Sequence, residues 1–213
     1  MQRVPDVPAA TRGSMVGGVV VPGLCGSEQE HWQSAWEQRL PWLSRISVGD
    51  WNVADLSRWR DGLHRSLDRA PAPVVLIAHS FGVLASAVVA AERPEDVAAL
   101  LLVAPADPDK FSLRQSLPTG LPMPTTLVGS LNDPWMAEKK ARELADALGA
   151  EYQLAGALGH INVESGVGSW FEGLNYLWPL LAPPFRDHTA VYGGASLKSH
   201  QQFNIYSDLR GRQ

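Results

Sequence analysis

The sequence predicts an α/β fold, one compact domain whose mainly parallel sheet of about six strands carries helices on both faces. Three observations predict it. Short runs rich in Val, Ile and Leu alternate along the chain with stretches whose apolar residues recur at helical spacing. The runs lack polar alternation, as strands covered on both faces do. A length of 213 residues with 45% apolar and 19% charged content suits one core and no more.

The elements follow in order. Residues 1–15 hold Pro5, Pro8 and Gly13 without apolar periodicity and are expected to form a flexible arm, with Met15 as an alternative start. The apolar run 16–21 is too short for a signal peptide or a membrane span, so 17–21 reads as the first strand. Helix 31–39, strand 45–48, helix 56–69, strand 74–78 and helix 81–92 come next, then strands 98–103 and 124–128. Helix 134–148 has Ala137, Ala141, Leu144, Ala145 and Leu148 on one face opposite Glu138, Lys139, Arg142 and Glu143, with Gly149 as its stop. Strand 151–154 and helix 170–181 complete a domain spanning 16–182. Two stretches break the alternation. Residues 104–122, rich in Pro, Ser and Asp, are a long loop near strand ends and a candidate substrate-side loop. Residues 183–213 show no sustained period and read as an appended tail.

Charge and cysteine content exclude several functions. Lys+Arg 18 against Asp+Glu 22 leaves a formal charge of −4, so no basic field exists to attract nucleic acid. The single cysteine, Cys25, can form neither an internal disulfide nor a thiolate-rich metal site, which favours the cytoplasm. No membrane partner is expected.

The chemistry concentrates at Ala78-His79-Ser80-Phe81-Gly82, between the run Val74-Val75-Leu76-Ile77 and a helix of small residues. A serine on such a strand–turn–helix junction protrudes above the sheet, and small residues two before and two after it let backbone, strand and helix approach closely. Ala78 stands where the motif has its first glycine. Downstream, Asp133 follows one strand and His160 the last, the order Ser, Asp, His. A serine hydroxyl needs a base, for which His160 is placed; Asp133 would hold the imidazole's tautomer and stabilise its charged form. Asp133 before Pro134 is equally well explained as a helix cap. Oxyanion donors would be the N–H of Phe81 at the helix start and that of Leu24 on the glycine-bearing loop Pro22-Gly23-Leu24-Cys25-Gly26-Ser27.

Other residues offer less. Cys25 lacks any local cause for a lowered pKa and is expected to be a small buried hydrophobe. His79 should turn away from Ser80 and pack beneath the turn. His31 with Trp32 begins a helix and is a candidate pocket residue. Of the eight tryptophans, most should pack helices onto the sheet, and Trp135, two residues past Asp133, is placed nearest the site. No metal-ligand spacing or phosphate-binding glycine loop occurs, so no cofactor and no metal are implied.

Pro22-Gly23, Gly26-Ser27, His31-Trp32, Asp50-Trp51, the serine pentad, Asn132-Asp133-Pro134, Gly159-His160-Ile161-Asn162 and Glu164-Ser165-Gly166 together resemble the small serine hydrolases related to retinoblastoma-binding protein, within the α/β-hydrolase superfamily. The resemblance covers about residues 17–182. It implies an α/β-hydrolase domain without a large cap domain, a Ser80, Asp133, His160 triad, and small acyl substrates. Vertebrate members are also described as protein-binding factors. The tail beyond Pro183 departs from the family pattern.

The leading expectation is a serine hydrolase, a carboxylesterase-like enzyme cleaving a small-molecule ester, or an amide, through an acyl-Ser80 intermediate. Acyl transfer would use the same site with a drier pocket. The alternative is a catalytically weak interaction module that binds a protein partner, of unknown identity, through 104–122 or the tail.

Overall fold

The computed structural model describes residues 17–71 and 73–181. The expected arm over 1–15 and tail over 183–213 lie outside the described residues.

Six strands form one parallel sheet in the order β2-β1-β3-β4-β5-β6: β1 (Gly18–Val21), β2 (Leu43–Arg45), β3 (Val74–Ser80), β4 (Val97–Pro105), β5 (Thr125–Gly129) and β6 (Glu151–Leu154). Five α-helices connect or follow them: α1 (Trp32–Arg39), α2 (Leu56–Arg69), α3 (Phe81–Glu92), α4 (Glu138–Leu148) and α5 (Leu174–Leu181). The central strands are buried on both sides, and their period of two splits the core. Val74, Leu76 and Ala78 of β3 face a cluster with Trp59, Leu63, Leu84, Leu144 and Leu148 from α2, α3 and α4. Val75 and Ile77 face the other, with Trp32 and Trp36 of α1 and Leu174 and Leu177 of α5. Helices therefore cover both faces.

Local chemistry sets most boundaries. Asp55 caps α2 by accepting from the Ser57 N–H, and Gly149 ends α4 in the left-handed conformation at φ 68°. Most elements agree with those expected to within two residues, and three boundaries differ by more. The second strand is Leu43–Arg45 rather than 45–48: the Ile46 N–H still donates to the Val20 carbonyl oxygen at 3.1 Å, but past Arg45 the alternation of Ile46 and Val48 reports burial against the α2 side of the core. Helix α4 starts at Glu138, because the carboxylate of Asp133 captures the N–H groups of Trp135 and Met136 in a local turn that competes with helix. The last helix starts at Leu174, since Trp170 sits at φ 39° and interrupts the expected run over 170–181. Between β4 and β5, residues 106–124 include two single-turn 3-10 helices, Pro108–Phe111 and Arg114–Ser116. Among the described residues no helix is long and apolar enough to cross a membrane.

Candidate active site

The site lies at the carboxyl ends of the parallel strands, where the loops after β1, β3, β4, β5 and β6 converge. Ser80 ends β3 and begins α3 at φ 54°, ψ −121°, a conformation non-glycine residues rarely adopt. The cost of that strain is met by close packing below the turn. Gly82 makes the packing possible: a Cβ there would lie 2.4 Å from the Val21 carbonyl oxygen and 2.6 Å from that of Pro22. Ala78 is fully buried, and its methyl group is accommodated. The turn leaves Ser80 half-buried at the rim of a cavity of about 400 Å³.

The structure brings Ser80, His160 and Asp133 together across more than a hundred ångströms of extended chain. His160 Nδ1 is 2.8 Å from Asp133 Oδ2, and His160 Nε2 is 2.9 Å from Ser80 Oγ. A carboxylate only accepts, so Nδ1 carries the proton and donates it to Asp133; Nε2 is then free to accept from the Ser80 hydroxyl. The Asp133 side chain is 2% exposed. Its other oxygen, Oδ1, accepts the Trp135 and Met136 N–H groups at 2.8 and 3.3 Å. The turn-forming bonds and the histidine contact thus use separate oxygens of one carboxylate; the expected helix cap is not formed, because α4 begins only at Glu138, with Ala137 at its cap position. The acid and histidine loops are tied directly as well. Asn132 Oδ1 accepts from the Gly159 N–H at 2.7 Å and from Ser130 Oγ at 3.1 Å, while Ser130 Oγ accepts the Leu158 N–H at 3.0 Å.

The other expected residues are also located. Leu24 lies on the loop after β1, against the serine: a Cβ on Gly23 would be 2.6 Å from Ser80 Cβ. Pro22 lacks an N–H, and Cys25 and Gly26 donate theirs to the carbonyls of Trp51 and Gly23. Among the described residues Gly23 and Leu24 are therefore the donors left on that loop segment. Phe81 opens α3; its buried ring packs on Trp59 and Phe111, with centroids 4.9 and 5.1 Å away. His31 lines the cavity and caps α1, its Nδ1 accepting the Gln33 N–H at 3.2 Å. Burial, aided by the charges of Arg45 and His160, pushes its pKa down to about 4, so the ring is neutral. That tautomer puts a proton on Nε2, which is buried without a hydrogen-bond partner among the described residues. Trp135 lines the cavity while 56% exposed, its ring beneath the Lys110 ammonium at 5.6 Å. Ala106, Asp107, Lys110 and Phe111, from the long loop after β4, form another wall.

One residue of the loop after β1 differs from expectation. Cys25 is exposed and lines the cavity instead of being buried; its backbone is left-handed, at φ 63°, with its N–H held by the Trp51 carbonyl oxygen at 3.0 Å. Trp51, of the Asp50-Trp51 pair, braces the same turn: its carbonyl accepts the Cys25 N–H, and its ring packs where Gly26 lacks a side chain. His79 is buried, and its Nε2–H donates to the His160 carbonyl oxygen at 2.9 Å. Burial lowers its pKa well below the ordinary histidine value, leaving it neutral. A larger groove of about 640 Å³ runs between β6 and α5, lined by Glu151, Gln153, Glu172 and Tyr176, without a nucleophile and base in contact. Among the described residues no group of three or more His, Cys, Asp or Glu side chains could hold a metal ion.

Residues 18–178 match the serine hydrolase family. Solved structures share the architecture. A Pectobacterium atrosepticum protein described as a YdeN-like hydrolase is 40% identical, with 79% of this chain and 93% of that chain covered at a TM-score of 0.74. The ydeN gene product of B. subtilis is 17% identical, covering 78% of this chain and 97% of its own, at a TM-score of 0.62. The esterase domain of a Rhodothermus marinus protein is 16% identical, covering 82% and 90%, at a TM-score of 0.62. The latter two likenesses concern the fold, that of the α/β hydrolases. A comparison with curated proteins finds no match.

Proposed function

Because the chain belongs to the serine hydrolase family, we propose that it cleaves carboxylic esters of small acyl substrates through an acyl-Ser80 intermediate. The observation that carries this reading is the continuous chain of hydrogen bonds from Asp133 through His160 to Ser80. In the first half-reaction Ser80 Oγ attacks the ester carbonyl carbon while its proton passes to His160 Nε2. Asp133 accepts from Nδ1–H throughout and stabilises the imidazolium. The negative charge that develops on the carbonyl oxygen is met by the N–H groups of Phe81 and Leu24, the former at the positive end of α3. As the tetrahedral adduct collapses, the carbon–oxygen bond to the leaving alkoxide breaks, and His160 returns its proton to it. Water then attacks the acyl-serine ester, giving a proton to His160, and a second collapse releases the carboxylic acid and restores the Ser80 hydroxyl.

Trp135 supplies an exposed aromatic wall for the substrate, and His31 a buried polar one beside it. Amides are harder substrates for the same machinery. A cytoplasmic location is part of the proposal, resting on the single cysteine.

The test is intact-mass analysis of the full chain after exposure to a fluorophosphonate, alongside turnover of p-nitrophenyl esters of increasing acyl length. Wild type should take up one equivalent and turn over the esters; Ser80→Ala and His160→Ala should do neither. A folded wild type that takes up no label, or a Ser80→Ala variant that keeps its turnover, would refute the reading.

A further inference from the structure

We propose that Ser165 is a positioning residue for the His160 imidazole, acting through the backbone of the loop that presents it; the inference deepens the hydrolase reading. The loop after β6 is bent by residues in uncommon conformations. Gly159 lies at φ 56° and Ile161, β-branched and fully buried, at φ 49°. A β-branched residue at positive φ is strained and persists only where its surroundings over-determine it. Released from those surroundings, the backbone on either side of His160 would relax, carrying the ring off the line between Ser80 and Asp133.

Three side chains supply the restraint. Ser165 Oγ accepts the His160 N–H at 3.0 Å. The His79 Nε2–H holds the His160 carbonyl oxygen at 2.9 Å, and the Trp32 Nε1–H holds that of Ile161, also at 2.9 Å. Ser165 is fixed in turn, because Asn162 Oδ1 accepts both its hydroxyl proton, at 2.7 Å, and its N–H, at 3.0 Å. This leaves the Ser165 oxygen lone pair directed at His160 N–H, and it identifies the Asn162 atom as oxygen. Gly159 is part of the same device: a Cβ there would lie 2.5 Å from Ser165 Oγ and push the hydroxyl away. Ser165 is not among the residues lining the cavity, so its effect reaches the reaction through His160.

The experiment compares wild type, Ser165→Ala, Ser165→Thr and Gly159→Ala as full chains. Its readouts are kcat and KM for a p-nitrophenyl ester, the fluorophosphonate labelling rate, and the downfield proton resonance of His160 Nδ1–H. Ser165→Ala is expected to lose about 10- to 100-fold in kcat, the range for a misplacement under about 1 Å, with KM changed by less than about threefold. Its Nδ1–H resonance should broaden or move upfield. Ser165→Thr, which keeps the hydroxyl, should recover most of both; Gly159→Ala should reproduce the loss. A folded Ser165→Ala with wild-type kcat and an unmoved resonance overturns the proposal. Because the resonance needs no turnover, a wild type inert to ester and label would refute the hydrolase reading while the resonance still decides the positioning role.

Discussion

Gly23→Ala tests how the loop after β1 serves the nucleophile. The added Cβ would stand 2.6 Å from Ser80 Cβ and 3.2 Å from both Ser80 Oγ and the His79 carbonyl oxygen. Ordinary contact begins near 3.4 Å, so something must move by about 0.8 Å. Ser80 cannot easily yield, since its backbone is held at φ 54° between β3 and α3, and Gly82 fixes α3 against the carbonyls of Val21 and Pro22. Pro22 is held too, its carbonyl accepting the Trp59 Nε1–H at 2.8 Å. The displacement therefore falls on 23–26 and takes the Leu24 N–H away from the position proposed for it beside the developing oxyanion. Losing one such donor costs about 100- to 1,000-fold in kcat, and a partial displacement about 10- to 100-fold. The overpacking itself costs about 1–3 kcal/mol of stability. Urea denaturation establishes the folded fraction; fluorophosphonate labelling and p-nitrophenyl acetate turnover per folded molecule give the effect on the reaction. A folded Gly23→Ala that labels and turns over within about threefold of wild type would refute the role given to this loop.

Two further outcomes follow from the site. The folded pKa of His31, about 4, lies below its ordinary 6.5, so the unfolded chain binds the extra proton between those values and stability falls as pH drops through that window. Between about pH 7 and about pH 4.5 this group contributes a loss of about 2 kcal/mol, and buried His79 acts in the same direction. Urea midpoints at the two pH values should fall less for His31→Asn than for wild type; equal falls would contradict the assignment. Trp135→Ala should leave stability within about 0.5 kcal/mol, because the ring is mostly exposed. It should raise KM about three- to tenfold for esters with longer acyl chains. An unchanged KM across the chain-length series would remove Trp135 from the substrate wall.

The fold was legible because it rests on local signals. Val74-Val75-Leu76-Ile77 before a turn of small residues and a helix of alanines and valines reads the same way in sequence and in structure. Gly149 stops a helix in both. Boundaries differ where a side chain interacts beyond the local pattern: Asp133 takes the N–H groups that helix α4 would otherwise use, and Ile46 and Val48 are buried past Arg45, the last residue of β2. Cys25 is exposed and its backbone left-handed, at φ 63°, which no property of cysteine signals.

The candidate site divides along the same line. The residue types and their order along the chain, Ser80 then Asp133 then His160, could be read from the sequence, as could the glycines that let backbone approach the serine. What only the tertiary structure decided is their contact. Two hydrogen bonds of 2.8 and 2.9 Å join residues 27 and 80 positions apart, and that distance depends on sheet order, twist and the bent loop at Ile161. The supports of that loop, Trp32 from α1, His79 from β3, and Asn162 and Ser165 from the loop itself, act largely on backbone groups. A backbone N–H or carbonyl is the same at every residue, so its partner leaves no trace in sequence order; only folding selects it.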